Sequence, residues 1–213
     1  MNNRIEKWNE RYAGSALTWS AGPNLTVQEL VDPLAPGRAL DVACGEGRNA
    51  LWLAEKGWTV DAFDFSPVGI EKAQRIAERR GASVNFLVAD ALGLDAAGSA
   101  LMPASYDLVV VAFLHTSPGE RSHWLPAVIS RVRPGGHFLY IAHDPDNIIH
   151  GTGGPQDPAL LVSAEALTAW LPAWQIIEAG TRKRLTTVES GHGEQGREAI
   201  DTVVFAKRPD TQT

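Results

Sequence analysis

Short apolar runs alternate with longer amphipathic segments along most of this chain. The apolar runs predict seven strands, at residues 38–43, 58–63, 84–89, 106–114, 137–143, 174–179 and 199–206. Two parallel strands need a crossover connection, which is usually a helix, so this alternation is typical of a mostly parallel sheet covered on both faces. We therefore expect an α/β fold with a doubly wound, Rossmann-like, seven-stranded sheet and helices on both faces.

Several residues between the apolar runs indicate where helices begin and end. Ser66 and Pro67 predict a helix start, because the hydroxyl can cap free amides and proline needs no amide in the first turn. Gly81 predicts the end of the same helix. Ser117 and Glu120 have the spacing of a capping box, which predicts another helix between the fourth and fifth strands.

Length, charge and cysteine content exclude several classes of protein. A chain of 213 residues fits one domain, and its net charge of −6 repels a phosphate backbone, so no nucleic-acid partner is expected. The single cysteine, Cys44, excludes an internal disulfide and a cysteine-rich zinc site, which fits a reducing compartment. No stretch approaches the roughly 20 apolar residues of a membrane span. We expect a cytoplasmic monomer or homodimer without membrane association.

A glycine-rich turn follows the first predicted strand. In an open parallel sheet, ligands bind beyond the carboxyl ends of the strands, usually over the first strand–helix turn. Gly45 and Gly47 leave the main chain of this turn open to a ligand, and the next helix offers unpaired amides. The spacing of Gly45, Gly47 and Ala50, with Asp64 further on, also fits a dinucleotide fingerprint. A nicotinamide-dependent oxidoreductase is therefore one hypothesis.

Two further acidic residues favour a cationic ligand over a dinucleotide. Asp41 lies at the end of the first strand, ahead of the glycines, and Asp90 follows the third strand. A carboxylate at Asp41 would face the diphosphate of a dinucleotide over a short distance and repel it. A ligand with a positive charge would instead be attracted by it.

Five segments resemble, in order and spacing, the motifs of class I S-adenosylmethionine-dependent methyltransferases. They are residues 39–50, 60–66, 88–91, 106–110 and 132–136, which read ALDVACGEGRNA, VDAFDFS, VADA, YDLVV and VRPGG. The stretch around the glycine turn more narrowly resembles the tellurite-resistance and thiopurine methyltransferase branch. One departure is Ala43, where members of the superfamily commonly carry glycine.

The resemblance implies S-adenosylmethionine as cofactor, a last strand that runs antiparallel, and a role for many residues. Asp64 would bind the ribose hydroxyls, Phe65 would lie along the adenine and Asp90 would accept its amino group. Within one domain, residues 1–36 would form an N-terminal helical cap, 37–145 the cofactor-binding core and 146–213 the acceptor side. The expected cofactor-binding residues are Arg11, Trp19, Asp41, Ala43, Cys44, Gly45, Gly47, Arg48, Asp64, Phe65, Ser66, Asp90, Ala91 and Ala112.

The reaction implied is in-line transfer of a methyl group to a small-molecule acceptor through oxygen, nitrogen, sulfur or another chalcogen. Such a displacement requires alignment of the two partners and, for a protic acceptor, a base. His115 and His143 end the fourth and fifth predicted strands on the carboxyl face, and we take both as candidate bases. No metal site is expected, because the residues after His143 are typical of a turn. A non-catalytic module that binds the cofactor remains an alternative.

Overall fold

The computed structural model of the protein describes residues 2–14, 16–18, 20–94, 105–186 and 194–210. The strands are β1 (Arg38–Val42), β2 (Thr59–Asp64), β3 (Val84–Val88), β4 (Tyr106–Ala112), β5 (Val132–His143), β6 (Gln175–Leu185) and β7 (Glu198–Lys207). The helices are α1 (Asn2–Tyr12), α2 (Leu25–Val31), α3 (Arg48–Glu55), α4 (Pro67–Arg80), α5 (Pro118–Ser130), α6 (Asn147–His150) and α7 (Ala164–Thr168), with 3₁₀ turns at Ala91–Gly93 and Pro158–Leu160.

The strands form one seven-stranded sheet in the order β3-β2-β1-β4-β5-β7-β6. The pairs among β1 to β5 are parallel, whereas β7 is antiparallel to both β5 and β6. The predicted fold class is therefore confirmed, including the antiparallel last strand. Strand order reverses between β1 and β4, which is the place where an open α/β sheet opens a crevice for ligands.

Each face of the sheet is covered by its own apolar core. On one face, Trp52 of α3 and Ile70 of α4 pack with sheet residues such as Leu139. On the other face, Trp124 of α5 packs with Tyr140 of β5, and their ring centroids are 6.3 Å apart. Full burial of such side chains contributes about 1.5–3 kcal/mol each, so both layers hold the sheet rigidly beneath the crevice.

The predicted helix ends are confirmed where a capping residue marked them. The Ser66 hydroxyl accepts from the Gly69 amide, Pro67 occupies the first turn and Gly81 ends α4 with a left-handed backbone. At α5, Ser117 and Glu120 form the expected capping box.

Three predicted elements have different bounds in the structure. Strand β5 begins at Val132, five residues before the predicted start, because Tyr106 already pairs with Val132 and the turn sequence Arg133–Gly136 is an irregularity inside the strand. Strand β6 continues to Leu185, because β7 pairs with it along its whole length. Ser163 predicts the cap of a further helix that runs to about Leu171, and in the structure this helix, α7, ends at Thr168.

Candidate functional site

One cavity of about 910 Å³ lies over the carboxyl ends of β1, β2, β4 and β5. This volume is in the range of natural small-molecule and cofactor sites. Most of the site residues expected from the sequence line it. They are Arg11, Asp41, Ala43, Cys44, Gly45, Arg48, Asp64, Phe65, Asp90, Ala91, Ala112, His115 and His143.

Two of the expected cofactor residues that the structure describes, Gly47 and Ser66, do not line the cavity. Gly47 has a φ of 80°, and a Cβ there would lie 3.0 Å from the ring of Phe86, so this glycine serves the packing of the turn. Ser66 is fully buried, and its hydroxyl donates to Oδ1 of Asn9 at 2.6 Å while capping α4. Trp19 lies outside the described residues.

The glycine turn itself has a left-handed backbone at two of the residues facing the cavity. Gly45 has a φ of 56° and Ala43 a φ of 55°. For a residue with a Cβ this conformation costs about 1–2 kcal/mol. The departure from glycine at Ala43 therefore affects the backbone conformation of the turn.

Asp64 holds the glycine turn and the start of α4 together. Its Oδ2 accepts from the Gly45 amide and its Oδ1 from the Ser66 amide, both at 2.9 Å. Burial raises the pKa of Asp64 to about 6, although both hydrogen bonds oppose the shift. The carboxylate is thus fixed in direction, with lone pairs remaining for a ligand.

Asp41 orders the same turn from the opposite side. Its Oδ2 accepts from the Ala50 amide at 3.1 Å, in the first turn of α3. Burial raises the pKa of Asp41 to about 7, and nearby Arg48 opposes the shift. This contact orders the loop, in addition to the attraction for a positively charged ligand that the sequence predicts for Asp41.

The raised pKa of Asp41 predicts how stability changes with pH. Between its ordinary value of 3.8 and about 7 the folded protein holds a proton that the unfolded chain has released, so stability from this group is present below about pH 4 and lost as the pH rises through 7. The free energy of unfolding of the wild type, minus that of Asp41→Asn, should fall across this range in urea titrations. If the free energies of unfolding of the two proteins changed with pH in parallel, the raised pKa assigned to Asp41 would be wrong. Effects of pH that are common to both proteins cancel in the difference.

Arg4, which the sequence pattern did not single out, links the N-terminal helix to the end of the cavity where adenine is expected. Arg4 of α1 lies 3.6 Å from Asp90 Oδ2 and 3.2 Å from Glu120 Oε1. Its guanidinium also lies over the Phe65 ring, 5.4 Å from the centroid. Arg4 therefore joins the N-terminal cap to the rim of the site, and nothing in the local sequence pattern marked it.

A second missed contact anchors the chain that follows α1. Lys72 of α4 and Glu46 of the glycine turn form a buried ion pair of 2.7 Å. The Lys72 ammonium donates to main-chain carbonyls of Tyr12, Gly14 and Ala16, and Glu46 accepts from the Thr18 amide. The pair thus fixes the cap onto the loop that borders the cavity.

The other end of the cavity holds both predicted histidines. Their rings stack 5.4 Å apart and within 7° of parallel. Nε2 of His115 accepts from the main-chain amide of His143 at 3.3 Å. Burial lowers the pKa of His115 to about 3, with repulsion from His143 adding to the effect.

Two further residues at this end come from the antiparallel strands and were missed by sequence reasoning. Asp201 of β7 lies opposite His143 in the sheet, and its Oδ1 is 3.0 Å from Nδ1 of His143. Arg184 of β6 donates through Nε to Oδ2 of Asp201 at 2.7 Å. Both partners lower the pKa of Asp201 against the opposing effect of burial.

The described residues contain no cluster of three or more histidine, cysteine or acidic side chains suited to a metal ion. Among the helices of these residues, none has the length and apolar character needed to cross a membrane.

The segment that forms most of the cavity floor is also similar to known proteins. Residues 39–136 match the protein family described as "Methyltransferase domain". This segment is similar to a methyltransferase domain, and it extends from β1 to the beginning of β5 and includes the glycine turn.

The curated relatives of this chain include proteins with methyltransferase names. The chain is 36% identical over 113 residues to demethylmenaquinone methyltransferase of Thermus thermophilus, a match covering 52% of this chain and 49% of that protein. It is 29% identical over 133 residues to 2-heptyl-1-hydroxyquinolin-4(1H)-one methyltransferase of Mycobacteroides abscessus, covering 59% and 56%. The chain spans about half the length of these relatives.

A solved structure supports the fold over the whole chain. The N-methyltransferase NodS of Bradyrhizobium japonicum, in complex with S-adenosylhomocysteine, superposes with a TM-score of 0.73. The match covers 98% of this chain and 100% of that chain at 14% identity. Together with the domain match, these comparisons favour the methyltransferase domain over the nicotinamide-dependent oxidoreductase.

Proposed function

We propose that this chain transfers a methyl group from S-adenosylmethionine to a small-molecule acceptor through oxygen, nitrogen, sulfur or another chalcogen. The observation that carries the proposal is the continuity of one cavity, which reaches from Asp64, Phe65 and Asp90 to His115 and His143. Arg48 lines the same cavity and interacts electrostatically with both Asp41 and Asp201. A donor and an acceptor can therefore share one enclosed space.

The residues at the glycine turn suit this cofactor. Asp64 offers fixed carboxylate lone pairs to hydroxyl groups, and Phe65 offers an apolar face beside Asp90. Trp8 and Tyr12 stack 5.4 Å apart on α1 and line the same cavity, where aromatic faces favour a positive charge. When bound, S-adenosylmethionine supplies a methyl carbon whose bond to sulfur breaks with the electron pair remaining on sulfur.

The volume of the cavity and the segments that surround it suit a small acceptor. The N-terminal helix and the segment around Gly154 both line the cavity, so the space beside the histidines is bounded on several sides. The two curated relatives named above act, by their names, on demethylmenaquinone and on a hydroxyquinolinone. The net charge of −6 argues further against a nucleic-acid acceptor.

The proposal includes the finer features expected from the sequence, which are the tellurite-resistance and thiopurine branch, a cytoplasmic location, a monomer or homodimer, and a division of the domain at residues 36 and 145. It also includes His115 and His143 as the candidates for a catalytic base.

Binding and turnover measurements together test the proposed function. We expect S-adenosylmethionine and S-adenosylhomocysteine to raise the melting temperature, since a ligand at 100 times its Kd stabilises by about 2.7 kcal/mol. NAD at the same concentration should leave it unchanged. Mass spectrometry of a panel of phenols, thiols, amines and pyridines should then detect a product heavier by one methylene. Stabilisation by NAD alone would contradict the proposal, and binding without any product would indicate a non-catalytic module.

A further inference from the structure

A buried histidine–aspartate pair borders the acceptor end of the cavity. The antiparallel register of β5 and β7 sets His143 opposite Asp201, whose residue surface is only 1% exposed. One carboxylate oxygen lies 3.0 Å from Nδ1 of His143, and the other accepts from Nε of Arg184 at 2.7 Å. Oδ2 of Asp201 is therefore held by a hydrogen bond, and Oδ1 lies at ion-pair distance from Nδ1 of His143 without the geometry of a hydrogen bond.

This arrangement favours a proton on one of the two ring nitrogens of His143. A carboxylate beside Nδ1 favours the tautomer with the proton on Nδ1, which leaves the lone pair on Nε2. The ring borders the cavity, and Gly154 packs so closely against it that a Cβ at this position would overlap the imidazole. Gly154 also has a φ of 74°, so the backbone itself favours glycine there. A side chain at residue 154 would collide with the edge of the ring that carries Nε2.

His115 stacks on His143, but its ring nitrogen Nε2 is already occupied. Its Nε2 already accepts from the main-chain amide of His143, so this lone pair is occupied. The low pKa of His115 keeps the ring neutral at physiological pH. The two histidines therefore differ, although the sequence predicts the same role for both. His115 accepts from the main chain at the end of β5. In His143, the favoured tautomer leaves the lone pair on Nε2.

We propose that His143 is the general base for the acceptor, that Asp201 and Arg184 position it, and that the acceptor is a weakly acidic hydroxyl or thiol on an apolar body. This inference rests on the proposed methyl transfer. The proton on the acceptor atom moves to Nε2 of His143. The electron pair left on the acceptor then forms the bond to the methyl carbon, and the sulfur of the cofactor keeps the pair of the broken bond.

The lining around the pair argues for this acceptor class. Phe113, Leu114 and Leu160 provide apolar surface at the same end, and the ring of Phe113 is 5.2 Å from that of His143. Arg48 and Arg184 line the cavity too, and two guanidinium groups favour an acceptor that becomes an anion. A base would serve no purpose for an acceptor without a proton.

Nuclear magnetic resonance of the histidine ring nitrogens tests the pair without any turnover. In the wild type we expect His143 to carry its proton on Nδ1 and to have an unprotonated Nε2. In Asp201→Asn, Arg184 retains the amide oxygen, so the amide NH₂ faces Nδ1 and the proton moves to Nε2. A wild-type proton on Nε2, or an unchanged tautomer in Asp201→Asn, would overturn the inference.

Kinetics test the role of the pair in the reaction. With the phenols and thiols of the panel that the wild type methylates, kcat should fall roughly 10²–10⁴-fold in His143→Gln and Asp201→Asn. The Kd for S-adenosylhomocysteine should not change, because neither residue belongs to the cofactor end. The matched control is His137→Gln, since His137 lies on the same strand and stacks on Phe205 outside the cavity lining. Its kcat should equal that of the wild type.

The outcomes separate this inference from the proposed function. Turnover at the wild-type rate in His143→Gln, or methylation confined to pyridines, which lack a proton on the acceptor atom, overturns the inference and leaves methyl transfer intact. Binding of S-adenosylmethionine without methylation of any acceptor overturns both. A fall in kcat together with the tautomer change in Asp201→Asn supports both.

Discussion

Replacing Lys72 with Met is expected to lower the free energy of unfolding by about 3–5 kcal/mol, because it leaves a buried carboxylate without its partner. Lys72 is 6% exposed and Glu46 is 3% exposed. The substitution also frees three main-chain carbonyls, of Tyr12, Gly14 and Ala16, that the ammonium now satisfies. Urea unfolding with linear extrapolation gives the change directly.

An exposed ion pair in the same protein provides the matched control. Lys56 lies 2.8 Å from Asp32, and both side chains are about half exposed. The Lys56→Met variant should therefore lose less than about 1 kcal/mol. Combining Lys72→Met with Glu46→Gln should cost less than the sum of the two single changes, because the second removes the unpaired charge. Equal losses in Lys72→Met and Lys56→Met would contradict the assignment.

The fold and one half of the site could be predicted because they depend on local pattern and strand direction. Apolar runs between amphipathic segments indicate parallel strands, and the carboxyl ends of parallel strands meet at one edge. Asp41, Asp64 and Asp90 each lie at or just beyond such an end, and all three line the cavity. His143 ends β5, and His115 follows β4 by three residues.

The remaining residues of the site depend on contacts between distant parts of the chain. Asp201 faces His143 only because of the register between β5 and β7, which the alternation of apolar residues does not specify. Arg184 lies in a part of β6 that the apolar pattern did not mark as strand. Lys72 and Arg4 lie on helices, where a charged residue ordinarily indicates a solvent-facing side. In each case the decisive information is a tertiary contact.

The roles of individual loop residues were also beyond the sequence pattern. Gly45 and Gly47 look equivalent in the motif, yet only Gly45 lines the cavity among the described residues, while Gly47 packs against Phe86. Ser66 was expected at the cofactor, and its capping hydroxyl faces α1 instead. A motif therefore identifies the loop, whereas packing decides which of its members can touch a ligand.

Replacing Asp64 with Ala is expected to weaken the binding of S-adenosylmethionine and S-adenosylhomocysteine roughly 10- to 100-fold. A hydrogen bond to a charged partner contributes about 1.5–3 kcal/mol, and 1.4 kcal/mol corresponds to a factor of ten in Kd. The variant also releases the Gly45 and Ser66 amides, so the turn loses its fixed geometry. Both ligands should be affected alike in calorimetry, because they share the ribose and differ at the sulfur.

The raised pKa of Asp64 adds a signature that general destabilisation would not produce. Since this pKa is about 6 in the absence of ligand, the wild type should bind more tightly at pH 8 than at pH 5, where the carboxyl is protonated and has lost acceptor capacity. In Asp64→Asn, the part of this pH dependence that comes from residue 64 should disappear. The matched control is Asp61→Asn on the same strand, a buried carboxylate that accepts from Tyr106 and Asn85 away from the cavity. The Kd of Asp61→Asn for both ligands should equal that of the wild type. If Asp61→Asn and Asp64→Asn lost affinity to a similar extent, the loss would come from a disturbed β2 and not from a lost contact with the cofactor.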